Sequence, residues 1–322
     1  MSVEDRLYRW LGKYLDAPQW VKTPVGLVYG WLPRRVRYGA GYPRYLAEAG
    51  LRCPARLAAV AEARLRETLL WAAATVPAHA GVRPQLRAGA PVSEWLDAFA
   101  PMRRGDIKAR PQDFRSTACG DAAALPMQTS GSSSEPLRFL LERGRTRCKE
   151  TAYIDSFNRR LSLPRGCATL SLRGRNVRGS ERGTTRSFDP IKRMLAISPN
   201  HLTDALMPGH VAAARRLRVA SIQGYPSAVY ILARWLAQNA PGSSFAAGIR
   251  GVQLFSETVE PFMLDTIRAV FDCPVLLHYG HSERAAMAAS MPDDPRYFVW
   301  PLYGKVELVD GEGRAIDEPG QA

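Results

Sequence analysis

The sequence predicts an α/β protein, a mainly parallel sheet flanked by helices with a helical N-terminal extension, on three observations. From residue 137 onward, short apolar runs alternate with helical stripes, the pattern of strands joined by crossover helices. A balance of 46% hydrophobic and 23% charged residues over 322 positions is that of a globular chain long enough to bury a sizeable core. A Ser/Gly-rich turn, Gln128-Thr129-Ser130-Gly131-Ser132-Ser133-Ser134-Glu135-Pro136-Leu137, sits between two apolar runs.

Composition also narrows the function classes. No apolar run approaches the ~18 residues of a membrane span. The start, Met1 to Arg6, lacks the apolar core of a signal peptide, so a cytoplasmic protein is expected. The five cysteines (Cys53, Cys119, Cys148, Cys167, Cys273) are odd in number and contain no C-x-x-C pair, which argues for buried or incidental thiols and against zinc. A net charge of +14 suits nucleic acid, a membrane surface or an anionic small substrate. The densest basic run, Arg173 to Arg182, lacks the interleaved aromatics of a single-strand platform. It is read as a basic loop on a protein that does not bind nucleic acid but attracts a polyanion such as ATP.

In chain order, residues 1 to about 50 carry Trp10, Tyr14, Trp20, Tyr29, Trp31, Tyr38, Tyr42 and Tyr45 among basic residues, with Pro24 and Pro33 expected to break any long helix. This is an amphipathic extension able to touch a membrane surface or a partner, with packing on the protein's own body expected. Leu57, Ala61, Leu65 and Leu69 then mark one face of a helix from Pro54 to about Ala74, ended by Val76-Pro77. Two domains are expected: a helical extension, 1–80, packed on a core, 81–322. Around Ser93-Glu94-Trp95-Leu96 a short helix opens on a serine cap, and Met102 to Lys108 turns into another.

Strands are expected at Leu137–Leu141, Ala168–Leu172 and Gly251–Phe255, with a short buried one at Pro274–Leu277. Between them lie helices from Arg145 to Leu161, with Tyr153, Phe157 and Leu161 on one stripe, and from Val229 to Ala237. A further helix turns Met263, Ile267, Val270 and Phe271 inward, and Lys305 to Val309 reads as a period-2 strand before an Asp-Gly hairpin signal.

The Ser/Gly turn has the chemistry of an anion cradle. Its five hydroxyls are short donors, Gly131 permits close backbone approach, and Pro136 prevents continuation as an inner strand. It is not a P-loop, because no lysine follows Gly131 within reach. By composition alone, a plain surface loop is the commoner explanation. A second stretch, His278-Tyr279-Gly280-His281-Ser282-Glu283, alters that balance. The pair resembles the phosphate loop (T-S-G-[ST]-[ST]-G-x-P) and the Y-G-x-[ST]-E motif of the adenylate-forming acyl ligases, the acyl-CoA synthetase-like superfamily.

From near residue 30, the order of helix, Val76-Pro77, short helix and Pro101 to Ile107 looks like the phenylacetate-CoA ligase and capsule-biosynthesis (CapK-like) branch. Gly224-Tyr225-Pro226-Ser227 before a helix matches that branch as well. Phe255-Ser256-Glu257-Thr258 resembles its adenine-lining turn, with Thr258 where proline is usual.

The resemblance implies attack of a carboxylate on the α-phosphorus of ATP. Thr129, Ser130, Gly131, Ser132 and Ser133 then hold the β- and γ-phosphates, and Ser256, Glu257, Thr258, His278, Tyr279 and Gly280 surround the nucleotide. Ser282 meets the α-phosphate, Glu283 ligates Mg²⁺, and Tyr225, Pro226, Ser227, Phe255 and His281 form the acyl pocket. Taken singly, Tyr279 is equally a core aromatic, Glu283 a solvated acid and His281 a satisfied polar residue.

Two departures stand out: Ser134 replaces the family glycine, and the sequence stops where the family pattern continues toward a ribose-binding aspartate and a small C-terminal domain. The expectation is therefore the N-terminal core of such a ligase, acting on a carboxylic acid and passing it to CoA, an amine or a hydroxyl, with a homodimer possible. The alternatives are a non-catalytic nucleotide- or acyl-binding relative, a subunit completed by a partner, and a basic nucleic-acid or membrane-surface protein.

Overall fold

The apolar runs after residue 160 become strands of one eight-stranded sheet. They are β3 (Ala168–Leu172), β4 (Arg186–Asp189), β5 (Met194–Ile197), β6 (Val219–Gly224), β7 (Gly251–Phe255), β8 (Val275–Gly280), β9 (Met287–Met291) and β10 (Asp294–Val299). Their order is β10-β9-β8-β7-β6-β3-β5-β4. β5, β3, β6, β7 and β8 run parallel, and β4 closes one edge as an antiparallel hairpin with β5. The computed structural model describes residues 3–7, 10, 13–14, 17–129, 135–164, 166–174, 177, 183–292 and 294–316.

Two units are distinguished by their internal packing. The first comprises Met1–Pro43, Thr151–Gly280 and Ala288–Phe298, and the second Arg44–Glu150, His281–Met287 and Val299–Ala322.

In the first unit, β7 is buried at every position, as expected for a parallel strand covered on both faces. Helices α4 (Met207–Arg216), α5 (Pro226–Asn239) and α6 (Pro261–Phe271) supply the cover, each with proline in its first turn, where a missing N–H costs nothing. The core joins Leu170, Leu172, Ile222 and Leu254 of the sheet to Val229, Leu232 and Leu236 of α5 and to Ile267 and Phe271 of α6. Gly224 is required where β6 meets β3, since a Cβ there would lie 2.5 Å from the Leu172 carbonyl oxygen.

The N-terminal segment differs from its expectation in two ways. Pro24 lies inside helix α1 (Gln19–Trp31) rather than ending it. Pro24 is exposed, so the Trp20 carbonyl that loses its intrahelical partner lies on the solvent side. Secondly, packing on the body is partial. Tyr42 is buried and its hydroxyl donates to Asp155 at 2.5 Å, beside an Arg34–Asp155 ion pair, while Trp10, Trp20 and Trp31 stay exposed.

The second unit contains α2 (Pro54–Thr75), whose predicted stripe turns Leu69 inward, and the antiparallel hairpin β1 (Ala124–Gln128) and β2 (Arg138–Glu142). The first turn of helix α3 (Thr146–Asn158) also belongs to this unit, and there Lys149 donates to the Tyr303 carbonyl at 2.7 Å. The short helix Val92–Asp97 is capped by Pro91 and not by Ser93, because proline holds the extended conformation that precedes a helix.

The strand expected at Lys305 to Val309 is reduced to an isolated bridge, Val309 to Ala315, across a turn tied by Asp310. Val306, Leu308 and Val309 are exposed there, so burial, which would hold a regular strand, is missing. Among the described residues no helix is long and apolar enough to cross a membrane. Most of the basic run Arg173 to Arg182 lies outside the described residues.

Candidate active site

Parallel pairing places the carboxyl ends of four strands side by side: Leu172 opposite Gly224, Gly224 opposite Leu254, and Phe255 opposite His278. The chain leaves β3 toward β5 on one side, and from β6 steps outward through β7 and β8 on the other. The crevice between β3 and β6 is therefore a topological switch point, where open α/β sheets bind ligands. Three segments singled out from the sequence emerge at this end of the sheet: Tyr225-Pro226-Ser227 after β6, Ser256-Glu257-Thr258 after β7, and His278-Tyr279-Gly280 at the end of β8.

Contacts within the first unit join these segments. The Glu257 carboxylate accepts from the Ser227 hydroxyl at 2.7 Å and from the Ser227 backbone N–H at 3.2 Å. It thus caps the N-terminus of α5 from a neighbouring strand end, where helix donors are unpaired and negative charge is favoured. Ser256, just before it, has φ = 69°, a left-handed conformation that a non-glycine residue adopts at a cost. Tyr225 covers the end of β3, where Gly174 leaves room: a Cβ there would lie 2.8 Å from the tyrosine hydroxyl.

His278 lies between Phe157 and Phe255, with ring centroids 5.7 and 6.4 Å away. Its Nε2 is buried and has no hydrogen-bond partner among the described residues. Burial, reinforced by the nearby Arg173 charge, pushes its pKa down to about 4, so the ring is neutral at physiological pH. Arg173 itself stacks over Phe255 at 4.6 Å. Tyr279 is 55% exposed and meets Tyr297 edge-on.

In the second unit, Thr129 closes the β1–β2 loop. Its N–H donates to the Leu137 carbonyl and its hydroxyl accepts from the Leu137 N–H, both at 3.0 Å. Ser130, Gly131, Ser132 and Ser133 lie outside the described residues. At the loop's far end, Glu135 receives Arg104 on its carbonyl and Lys108 on its carboxylate.

After β8, the Ala286 N–H donates to His281 Nε2 at 3.2 Å, and His281 Nδ1 donates to Glu283 at 2.9 Å. Ser282 is exposed between them. Gly304 supports this turn from behind, since a Cβ there would lie 1.7 Å from the Ala285 carbonyl oxygen. One Glu283 oxygen accepts the hydrogen bond from His281, which leaves the other for a hard cation. A lone carboxylate suits Mg²⁺, which retains waters and takes substrate phosphate oxygens as its remaining ligands.

Sequence reasoning missed Arg173, Phe157 and Gln253. Gln253 was the readable signal: a polar residue inside a wholly apolar strand, whose amide donates to Asn158. Arg173 was hidden in a run that looked uniformly basic.

No family model matches the chain. Protein CapK of Staphylococcus aureus is 24% identical over 166 residues, 50% of this chain and 36% of the relative. Among solved structures, 2-hydroxyisobutyryl-CoA ligase in complex with 2-HIB-AMP and CoA, in the thioesterification state, aligns with a TM-score of 0.55 at 15% identity. The alignment covers 82% of this chain and 58% of that one. The same ligase in the postadenylation state with 2-HIB-AMP gives 0.52 at 16% identity, covering 74% and 52%. In each match the alignment spans less than two thirds of the relative.

Proposed function

We propose that this chain, whose fold is that of the N-terminal part of adenylate-forming acyl-CoA ligases, activates a carboxylic acid with ATP to give acyl-AMP and pyrophosphate. The observation that carries the reading is the convergence of the G-Y-P-S, S-E-T and H-Y-G segments at adjacent strand ends, with Ser227 and Glu257 bonded to each other.

A carboxylate oxygen forms a bond to the α-phosphorus while the bond to the bridging oxygen breaks, and pyrophosphate leaves with the electron pair. Charge accumulates on phosphate oxygens, so the protein's task is to position donors and exclude water rather than to supply a covalent nucleophile. Thr129, Ser130, Gly131, Ser132 and Ser133 hold the β- and γ-phosphates, and Ser282 donates to the α-phosphate.

Tyr279, with its exposed ring, stacks on adenine, and the Ser256–Thr258 turn lines it. Glu283 holds Mg²⁺, which when bound neutralises charge on the phosphates. Tyr225, Phe255 and neutral His278 border the acyl pocket: a neutral ring there leaves the substrate carboxylate as the reacting charge. The phenylacetate-CoA ligase-like or CapK-like branch, and onward transfer to CoA, an amine or a hydroxyl, belong to the same proposal.

The test is carboxylate-dependent exchange of labelled pyrophosphate into ATP across aryl, short hydroxy and fatty acids. Exchange with at least one acid, abolished by Glu283→Gln, is expected. If the protein binds ATP but exchanges with no acid, it is a nucleotide-binding relative and the ligase reading fails.

A further inference from the structure

Helix α1 presents an amphipathic arrangement turned inside out. Its inward face is set by Gly26, packed against the β4–β5 turn so tightly that a Cβ would lie 2.7 Å from Pro190 Cβ and 2.9 Å from the Ile191 nitrogen. Only glycine permits this approach, and the contact fixes the rotation of the helix about its axis. At 100° per residue Trp20, Pro24, Val28 and Trp31 then lie within about 60° of the pole opposite Gly26, with Leu27 on their flank. All five are exposed: Trp20 by 76%, Trp31 by 86%, Val28 by 65% and Leu27 by 55%. A globular helix normally turns such a stripe to the core.

The segment around the helix is basic, although Asp155 and Asp189 lie on neighbouring elements. Between Ala17 and Pro43 the chain has four basic residues, Lys22, Arg34, Arg35 and Arg37, and no acidic one. Arg37 binds the carbonyls of Gly30 and Leu32 at the end of α1, and Arg34 pairs with Asp155. Arg35 is exposed just past the helix end. The whole chain carries +14.

We propose that this face of α1 is a docking surface for an anionic lipid bilayer, on which the helix lies in the plane of the interface without spanning it. The tryptophans stand at the two ends of the stripe, about 16 Å apart along the axis, with aliphatic side chains between them. That placement suits rings anchored at headgroup level around an apolar strip that enters the acyl boundary. A protein partner is matched less well, because binding interfaces gather their tryptophans at the centre. A second copy of this chain would set one basic segment against another.

The experiment is flotation of the intact protein with 100 nm vesicles of phosphatidylcholine alone and with 30% phosphatidylglycerol, in 50 mM and 500 mM NaCl. Binding to the anionic vesicles is expected, weakening in high salt as screening shortens the reach of the charges. The variant W20S/L27S/W31S changes exposed side chains only, so its circular dichroism and melting temperature should match the parent. Its partition onto anionic vesicles should fall about a hundredfold as the apolar insertion is lost. Arg35→Glu should weaken binding about tenfold or more at low salt, and less at high salt.

Absence of binding at 1 mM anionic lipid would overturn the proposal, as would a triple variant that floats like the parent. A parent that is dimeric by light scattering and a triple variant that is monomeric would instead assign the stripe to self-association. None of these results depends on the adenylation chemistry.

Discussion

His278→Leu isolates one ring in the candidate site and yields a pH dependence whose sign the structure fixes. The folded chain holds the imidazole between Phe157 and Phe255 with a pKa of about 4, against 6.5 for the free side chain. As pH falls below 6.5 the unfolded chain takes up a proton that the fold refuses until about pH 4. The contribution to stability is therefore full above 6.5, declines as pH drops toward 4, and is flat below that. The whole gap is worth about 3 kcal/mol, of which about 2.5 kcal/mol is lost by pH 4.5.

Leucine is close to histidine in volume and cannot titrate, so the variant should lack this component. His79 and His210, whose pKa values burial also lowers, slope the same way in both proteins and cancel in the difference. Thermal melting between pH 8 and 4.5 should show the parent losing about 4 °C more than the variant. Parallel curves would refute the reasoning, because they would mean that the ring protonates in the folded state as easily as in water.

Other consequences follow from single contacts. Gly304→Ala and Gly224→Ala each force a Cβ onto a backbone carbonyl that cannot step aside, and should cost about 3 kcal/mol in urea unfolding. Ser227→Ala removes a bond between partly exposed groups, so its cost in stability should stay below about 1 kcal/mol. Pyrophosphate exchange should nevertheless drop about tenfold as the Glu257 turn loosens; unchanged exchange would remove that turn from the site. Mg·ATP at one hundred times its Kd should add about 2.7 kcal/mol to stability, visible as a raised melting temperature. Tyr279→Ala should abolish that shift, and its persistence would show that adenine does not stack there.

The sequence by itself determined the α/β class and the strands at Leu137–Leu141, Ala168–Leu172, Gly251–Phe255 and Pro274–Leu277, but not β4, β5, β6, β9, β10 or helix α4. It could do so because those signals are local: apolar runs too short for helices, and a stripe at helical spacing along Pro54–Thr75. It also picked out Tyr225, Ser227, Glu257 and Tyr279, since each stands just past an apolar run in a phrase with its own residue pattern.

What a side chain does there depended on neighbours far away in the chain, and only the tertiary structure decided it. His278 is neutral because Phe157 and Arg173 enclose it, and Glu257 is spent on the start of α5, thirty residues earlier. Pro24 was read as a helix breaker because a local rule says so, and it is tolerated because its side of α1 faces water. The strand expected at Lys305 to Val309 has the right alternation but no sheet to bury it. The same limit explains α1. Its pattern gives an apolar stripe, but which way the stripe turns is set by a single close contact between Gly26 and Pro190, and a contact spanning that much chain leaves no periodic trace in the sequence.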